Sequence, residues 1–439
     1  MRQVKVGSSG KGEKKSKYIA IATFGSLGDV YPYIAIAREL RKRGHRAAIA
    51  TNEIYRYVIE SDGIEFRAIR PDGSINSSEG EFIGLLSSSP QALDYGVSYL
   101  IAPHLRATYN DLVEVVREAD LLLTHHLAFA GDLAAETTGT PRVSTVLAPA
   151  SLMSAYDCPN SQETKSAYER ALTLVANDAT HRYFRWQARY WSAPVRQLRA
   201  SLGLAPKGDP FFEGQHSPHL VLGLFSSLLA ARQPDWPAQT KITGFPFCDR
   251  SLGKGLSAEL EKFLQAGAPP IVFTLGSLMV WIPGNFYLEG ARAAQKLGYR
   301  SVLLMGKAAD QISAHELPEG AIAVDYAPHE EIFSRAAAIV HHGGVGTTAQ
   351  AMRAARPMLV VPYAYDQPDN AARMVHLGVG RTLSRQHCTA DRLCAELKPL
   401  LFDPSYAAKA AEIGRLVQAE DGAGAACDAL EAYLENKRG

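Results

Sequence analysis

Ala338-Ile339-Val340 is an apolar run that passes into His341-His342-Gly343-Gly344-Val345-Gly346-Thr347-Thr348 before a helical pattern begins. Glycines let a backbone approach a ligand without Cβ interference, the first-turn N–H groups of the following helix point at it, and an imidazole and hydroxyls add donors. Such a cradle suits a phosphate or diphosphate. His342, Gly344, Val345, Gly346 and Thr347 are its candidate ligands, whereas His341, at the strand's end, reads as a satisfied core residue. The stretch from Gly344 to Ala349 also satisfies G-x-G-x-x-A, and Asp366 lies near the spacing of about 20 residues at which an acid binds ribose in a nicotinamide site. A nicotinamide-dependent oxidoreductase is therefore the competing reading. Position weighs against it, because that fingerprint normally opens the first βαβ unit of its domain, and the paired histidines are left without a role.

Pro362-Tyr363-Ala364-Tyr365-Asp366-Gln367-Pro368-Asp369-Asn370 follows a strand and precedes a helix. An acid beside an amide, Asp366 with Gln367, can accept from and donate to several hydroxyls of a sugar at once. The competing role for Asp366 or Asp369 is helix capping. Asp325-Tyr326-Ala327-Pro328-His329 puts a flat aromatic, Tyr326, at a strand end where a nucleobase could stack. Asp29 stands in the glycine loop Gly25-Ser26-Leu27-Gly28-Asp29 at the start of the first helix, in the other half of the chain. It can cap that helix or serve as a general base. His126, which follows the strand expected at 120–124, is the next candidate for a base, and His126 and Tyr33 are the candidate acceptor contacts.

Two αβ halves must position these residues. Segments 18–24, 32–43 and 46–51 read as strand, helix and strand, and further strands are expected at 64–69, 120–124, 142–147 and 220–225. A parallel sheet covered on both faces follows. Residues 151–203 form a helical insertion carrying Tyr168, Tyr183, Phe184, Trp186, Tyr190 and Trp191, which either pack in the core or wall an apolar ligand. Gln233-Pro234-Asp235-Trp236-Pro237 reads as a linker. A second series has strands at 271–275, 301–305, 321–324, 338–341 and 358–361. The expected divisions are a disordered tail at 1–17, an N-terminal domain at 18–238, a C-terminal domain at 239–420 and a C-terminal helix at 421–439 packing back over the junction. The fold class is α/β: two facing, doubly wound, Rossmann-like domains with ligands in the cleft at the carboxyl ends of the strands.

At 439 residues the chain exceeds one ordinary hydrophobic core, which fits two domains. Lys and Arg number 46 against 45 Asp and Glu, a net charge of +1, so nothing points to nucleic acid. Cys158, Cys248, Cys388, Cys394 and Cys427 are odd in number, scattered, and form no C-x-x-C pair. They indicate neither a disulfide framework nor a zinc site, and a reducing, cytoplasmic location is expected. Residues 1–17 lack the apolar core of a signal peptide, and no apolar run reaches the about 18 residues of a membrane span. A soluble protein is expected, a reading compatible with peripheral lipid contact.

Taken together, Gly25-Ser26-Leu27-Gly28-Asp29-Val30-Tyr31-Pro32, Tyr326-Ala327-Pro328-His329, the His341–Thr348 cradle and Asp366-Gln367-Pro368 closely resemble the UDP-glycosyltransferase superfamily, inverting enzymes of GT-B architecture. The resemblance spans almost the whole chain. It is nearest to a bacterial branch holding rhamnolipid rhamnosyltransferases and sterol glucosyltransferases. His216-Ser217-Pro218, Gln233-Pro234-Asp235-Trp236-Pro237, Thr243-Gly244-Phe245-Pro246 and Asp366-Gln367-Pro368-Asp369-Asn370-Ala371 point to the rhamnosyl side.

The resemblance implies that the C-terminal half holds a nucleotide-sugar donor and the N-terminal half a hydrophobic small-molecule or lipid acceptor, with no metal and no further cofactor. It places His342, Gly344, Val345, Gly346, Thr347 and Ser277 at the diphosphate, Tyr326 and Ala327 at the base, Asp366 and Gln367 at the sugar, and Asp29 as the catalytic base. The chain contains no Asp-x-Asp, the pattern by which another glycosyltransferase architecture holds a divalent cation. Two departures stand out: Tyr326 replaces the Trp of most members, and Gln350 stands where many have a ribose-binding Glu. A neutral amide is a poorer bidentate acceptor than a carboxylate, so a deoxyribose is admitted and dTDP-rhamnose is expected ahead of UDP-glucose. The implied function is inverting transfer of a hexosyl group, rhamnosyl or glucosyl, to an acceptor hydroxyl. A UDP-glucose-dependent transferase for sterols, polyphenols or other natural products is the alternative.

Overall fold

The computed structural model describes residues 15–71, 96–157, 167–249, 255–306 and 316–436. Its first sheet has seven strands: β1 (Tyr18–Ala22), β2 (Arg46–Thr51), β3 (Glu65–Ala68), β4 (Leu121–His125), β5 (Arg142–Val146), β6 (Val221–Gly223) and β7 (Thr240–Ile242). They lie in the order β3-β2-β1-β4-β5-β6-β7 and every neighbouring pair is parallel. The second sheet comprises β8 (Ile271–Thr274), β9 (Ser301–Leu304), β10 (Ala321–Val324), β11 (Ala338–His341), β12 (Met358–Val360) and β13 (Gly380–Thr382). Its order, β10-β9-β8-β11-β12-β13, is again parallel throughout. β1, β4, β8 and β11 are buried along their whole length, as strands covered on both faces must be. Strand order reverses between β1 and β4 in one sheet and between β8 and β11 in the other. Ligands bind in α/β sheets at such points.

The division between the halves differs from the sequence-based one. β7 lies beyond residue 238 yet pairs with β6 in the first sheet. The 233–237 segment is an ordered turn, with Trp236 buried edge-on against Phe225 and Asp235 accepting from Ser154 Oγ at 2.6 Å and from the Ala155 amide at 2.7 Å. The chain instead crosses after β7, where Gly244 has φ +91° and a Cβ would approach Glu420 Oε2 to 3.0 Å.

Five helices build or border the two switch points: α1 (Leu27–Lys42), α2 (Ala167–Trp191), α3 (Val345–Arg353), α4 (Gln367–His376) and α5 (Gly422–Asn436). α5 returns to the first half: Ala426, Cys427, Leu430 and Leu434 share a buried cluster with Ile34, Ile36 and Leu40 of α1. Each fully buried leucine contributes about 1.5–3 kcal/mol. Glu431 adds contacts to His45 Nε2 at 2.9 Å and to Arg43 at 3.3 Å.

Residues 1–14 of the expected tail and Cys158 lie outside the described residues. Lys17, the last residue assigned to that tail, is anchored, its ammonium 2.5 Å from Asp120 Oδ1. In the helical insertion the aromatic residues divide. Phe184 and Trp191 pack on Phe211 and Phe212 as core, whereas Tyr183, Trp186 and Tyr190 face outward. The side chain of Tyr168 lies outside the described residues.

Candidate active site

At the first switch point the chain leaves β1 and enters α1 through a capping box. Ser26 is the N-cap, its backbone N–H donating to Asp29 Oδ2 at 2.7 Å and its hydroxyl at 3.0 Å. Gly25 has φ +136°, and a Cβ there would fall 2.3 Å from Asp29 Oδ2, so only glycine leaves room for the carboxylate. Asp29 thus both closes the cap and keeps its other oxygen available. Burial raises its pKa above the usual carboxylate value, against the hydrogen bonds from Ser26. A carboxylate so raised is a better base than a solvated one.

The Asp29 Oδ1 atom lies 3.4 Å from His125 Nε2, at the end of β4. That is electrostatic contact at the outer edge of hydrogen-bond range. Burial pushes the His125 imidazole down to about 3, so it is neutral, and its Nδ1 accepts from the Leu127 amide at 3.4 Å. A neutral ring accepting at Nδ1 carries its proton on Nε2, facing Asp29. Sequence reasoning singles out only His126, because the strand expected at 120–124 stops one residue short of the end of β4. The pairing of two histidines at that strand end was the signal that could have found His125. His126 stacks obliquely on His125 with ring centres 4.1 Å apart, and burial, then His125, lowers its pKa. Its buried Nδ1 makes no hydrogen bond among the described residues. Tyr33 is fully buried in the α1 core with its hydroxyl 2.5 Å from Thr145 Oγ1 and its ring edge-on to His125 at 6.1 Å, so it backs the base from the sheet side and is not exposed in the cleft.

At the second switch point the cradle closes around His342. Its ring sits between Gly276 and Gly344, where added Cβ atoms would come within 2.6 Å of Cε1 and 2.4 Å of Nε2 respectively. Burial brings its pKa down to about 3, so it is a neutral donor or acceptor and not a cation. His341 behaves as a core residue, with Nδ1 accepting from the Gly343 amide at 3.1 Å. Gly344 is the N-cap of α3 and has no side chain to cap it, so the first-turn N–H groups of Val345, Gly346 and Thr347 are available to an anion. Ser277 is exposed in the loop after β8.

The loop before α4 is tied to this cradle. Asn370 Nδ2 donates to Gly343 O at 2.9 Å and to Asp366 Oδ2 at 2.7 Å. Burial raises Asp366 to about 6, Asn370 opposes the shift, and the charge of Asp29 adds to it. The charge of Asp29 therefore reaches Asp366 from the other half. Gln367 is buried, and its amide oxygen accepts from the backbone N–H groups of Tyr363 at 2.8 Å and Ala364 at 3.0 Å. It shapes the loop, which leaves only its NH2 for a sugar. Tyr365, beside Asp366, has φ +60°, a strained conformation of the kind found at ligand clamps. Tyr326 is half-exposed after β10, and Ala327 next to it is buried. Gln350 Oε1 accepts from Arg353 at 3.0 Å, and Arg353 is held by Asp249 at 2.5 Å and stacks on Phe247.

Comparisons with known proteins address this arrangement. Residues 19–147 match the glycosyltransferase family 28 N-terminal domain, and residues 300–424 match the erythromycin biosynthesis protein CIII-like C-terminal domain. An O-mycaminosyltylonolide 6-deoxyallosyltransferase of Streptomyces fradiae is 32% identical over 428 residues, covering 95% of this chain and 98% of that one. The chain belongs to this family of glycosyltransferases. A sterol 3-beta-glucosyltransferase of Arabidopsis thaliana is 25% identical and covers 95% of this transferase and 68% of its own length. Among solved structures, the glycosyltransferase VinC in complex with DTDP aligns with a TM-score of 0.68 at 20% identity, over 95% of this chain and 100% of that one. The spinosyn rhamnosyltransferase SpnG complexed with thymidine diphosphate aligns with a TM-score of 0.63 at 17% identity, over 94% and 100%. The transferase thus has the GT-B architecture. The G-x-G-x-x-A match is set aside: it follows β11, the fourth strand of its sheet in chain order, and does not open the first βαβ unit.

Proposed function

We propose that this glycosyltransferase moves a 6-deoxyhexosyl group, rhamnosyl above all, from a thymidine-diphosphate sugar to a hydroxyl of a hydrophobic natural product or sterol, with inversion. One observation carries the reading: Val345, the first residue of α3 in the phosphate cradle, packs against the cluster that holds Val30 of α1, next to Asp29, so the switch points of the two sheets adjoin and the charge of Asp29 reaches Asp366. Base and sugar loop share one space.

In this mechanism the acceptor hydroxyl lies against Asp29 Oδ1, the oxygen that Ser26 leaves uncommitted. Its oxygen attacks the anomeric carbon from the face opposite the diphosphate. The new C–O bond forms as the bond to the diphosphate breaks, and the hydroxyl proton passes to Asp29. The leaving diphosphate takes the bonding pair. Its growing charge is met by the first-turn N–H groups of α3, the Thr347 hydroxyl, the neutral His342 N–H and Ser277. Tyr326 with Ala327 receives the nucleobase, while Asp366 and the Gln367 NH2 hold sugar hydroxyls.

The donor choice rests on three supports. Gln350 carries no charge, and its one acceptor oxygen is already engaged by Arg353, so little remains to reward a ribose 2′-hydroxyl. The Streptomyces relative is named for transfer of a 6-deoxyhexose, and two solved relatives are titled as holding thymidine diphosphate. Competition between dTDP-rhamnose and UDP-glucose tests the choice. A higher kcat/KM for dTDP-rhamnose is expected; a clear preference for UDP-glucose overturns the rhamnosyl reading.

A further inference from the structure

Arg373 lies two turns into α4, the helix that begins at the sugar loop, and every donor of its guanidinium is engaged. Nε and Nη2 donate to the two oxygens of Asp369, one turn earlier on the same helix, at 2.7 and 3.2 Å. Nη1 and Nη2 donate to the two oxygens of Asp157 at 3.2 and 2.8 Å, and Nη1 also donates to Leu229 O at 3.0 Å. These bonds exhaust the donors of a guanidinium. Asp157 follows β5 and Leu229 follows β6, so the bonds to both cross from the donor half into the first half.

The balance of charge sets Asp157 apart. Asp369 already neutralises Arg373 from within the helix, at the i, i+4 spacing that suits such a pair. A second carboxylate brings repulsion against Asp369 and loses its own hydration, since the Arg373 and Asp157 side chains are each only 6% exposed. The stability of α4 does not call for it. Asp157 is nevertheless presented by a built turn. The Ser154 hydroxyl accepts from the Tyr156 amide at 3.1 Å and the Asp157 amide at 3.2 Å while donating to Asp235 Oδ1 at 2.6 Å, and Asn177 of α2 donates to Ala155 O at 2.9 Å. A carboxylate held in place at a cost in stability acts between the halves.

We propose that Asp157 is a positioning residue for the transfer: through Arg373 it latches α4, and with it the sugar-holding end at Asp366 and Gln367, against the half that carries Asp29. Arg373 lies about 10 Å along the helix from Asp366. Asn370, between them, ties the same helix to Gly343 O and to Asp366 Oδ2. The hold on Arg373 therefore reaches the sugar loop and the cradle through two helical turns. The latch touches no reacting atom. It sets the gap that the acceptor oxygen must close to the anomeric carbon, and a misplacement of about 1 Å can lower a rate about a hundredfold. The inference rests on the reading of Asp29 as base and of Asp366 and Gln367 as sugar holders, and it is indifferent to which sugar or acceptor is used.

Asp157→Asn keeps the shape of the side chain and leaves Arg373 neutralised by Asp369, so the fold should survive. Arg373→Lys keeps the charge, but one ammonium cannot grip both carboxylates as the planar fork does. Turnover of each full-length variant is compared with the parent on dTDP-rhamnose and on UDP-glucose, with a sterol and a macrolide aglycone offered as acceptors. Thymidine and uridine diphosphate are titrated into each protein by calorimetry. A fall in kcat of at least about tenfold is expected for both variants, with the nucleotide Kd within about twofold of the parent, because the cradle lies in the second half. The double variant should lose no more than the worse single one. The sugar that the parent prefers bears on the donor reading alone, and the ratio of variant to parent bears on the latch alone. Hydrogen exchange, which needs no substrate, should be faster in Asp157→Asn both at residues 154–157 and along α4. The proposal is overturned if kcat stays within about twofold of the parent, if nucleotide affinity falls in step with kcat, if the loss disappears on assay well below the melting temperature, or if exchange along α4 is unchanged.

Discussion

The two halves of this transferase share a strand order and a switch point, yet they carry opposite chemistry there. After β1 and β4 stand a carboxylate with a raised pKa and two histidines, Asp29 with His125 and His126. After β8 and β11 stand Gly276, His342 and Gly344 ahead of an uncapped helix N-terminus. The first helix is capped by its own side chains: the Gly28 N–H donates to Ser26 Oγ at 3.2 Å, and the Asp29 carboxylate folds back onto the Ser26 N–H. In the second, glycine withholds a cap, and the same N–H groups are left for a ligand. One frame gives a proton acceptor or an anion cradle according to whether a side chain fills the first turn.

The comparison breaks most readily at Asp29. Asp29→Asn keeps the capping geometry but removes the base, and turnover should fall at least about a hundredfold. Near-normal turnover would reduce Asp29 to a helix cap. His342→Ala should weaken thymidine diphosphate binding by about 1.5–3 kcal/mol, the range for a hydrogen bond to a charged group, and Gly344→Ala should do likewise because its Cβ would displace the ring. Calorimetry reads both, and an unchanged affinity in either would move the phosphate away from His342. Since burial keeps the free imidazole near 3, whatever pH dependence the affinity shows between pH 5 and pH 8 should be the same in His342→Ala as in the parent.

A smaller effect sharpens the other side. His125→Leu replaces a polar ring 3.4 Å from Asp29 Oδ1 by an apolar side chain, so the Asp29 pKa should rise further and the acid limb of kcat/KM should move to higher pH, with a loss of about two- to tenfold at neutral pH. Asp366, held up at about 6, supplies a second acid limb that Asp366→Asn should remove. An acid limb unmoved by His125→Leu would show that His125 does not act on the base. The smallest expectation is for EDTA, which should leave turnover within about twofold, because the α3 N-terminus and His342 are assigned the leaving charge. A strict magnesium requirement would contradict that assignment.

Much of this was legible in the chain. The alternating strands and helices, the glycine loops and the motif order place Asp29, His342 and Asp366 at strand ends without coordinates. Other features depend on tertiary contact. β7 is only Thr240-Lys241-Ile242, too short for a periodic signal, so the boundary fell early. Tyr33 and Tyr55 are both near the glycine loop, but only the fold shows one bonded to Thr145 and the other to Gly25 O. The aromatic residues of α2 look alike in sequence, and their division into core and surface follows from which side meets Phe211 and Phe212. That the Gln367 oxygen holds two backbone amides, leaving only its NH2 for a sugar, is likewise seen only in the fold.

The central claim is that the base and the donor cradle are separate devices meeting at one carbon. Thymidine diphosphate titrated into the Asp29→Asn protein tests it most directly. The account predicts a Kd within about twofold of the parent, because that carboxylate contacts the acceptor and not the nucleotide. A loss of affinity as large as that of His342→Ala would contradict it and place Asp29 in the donor site.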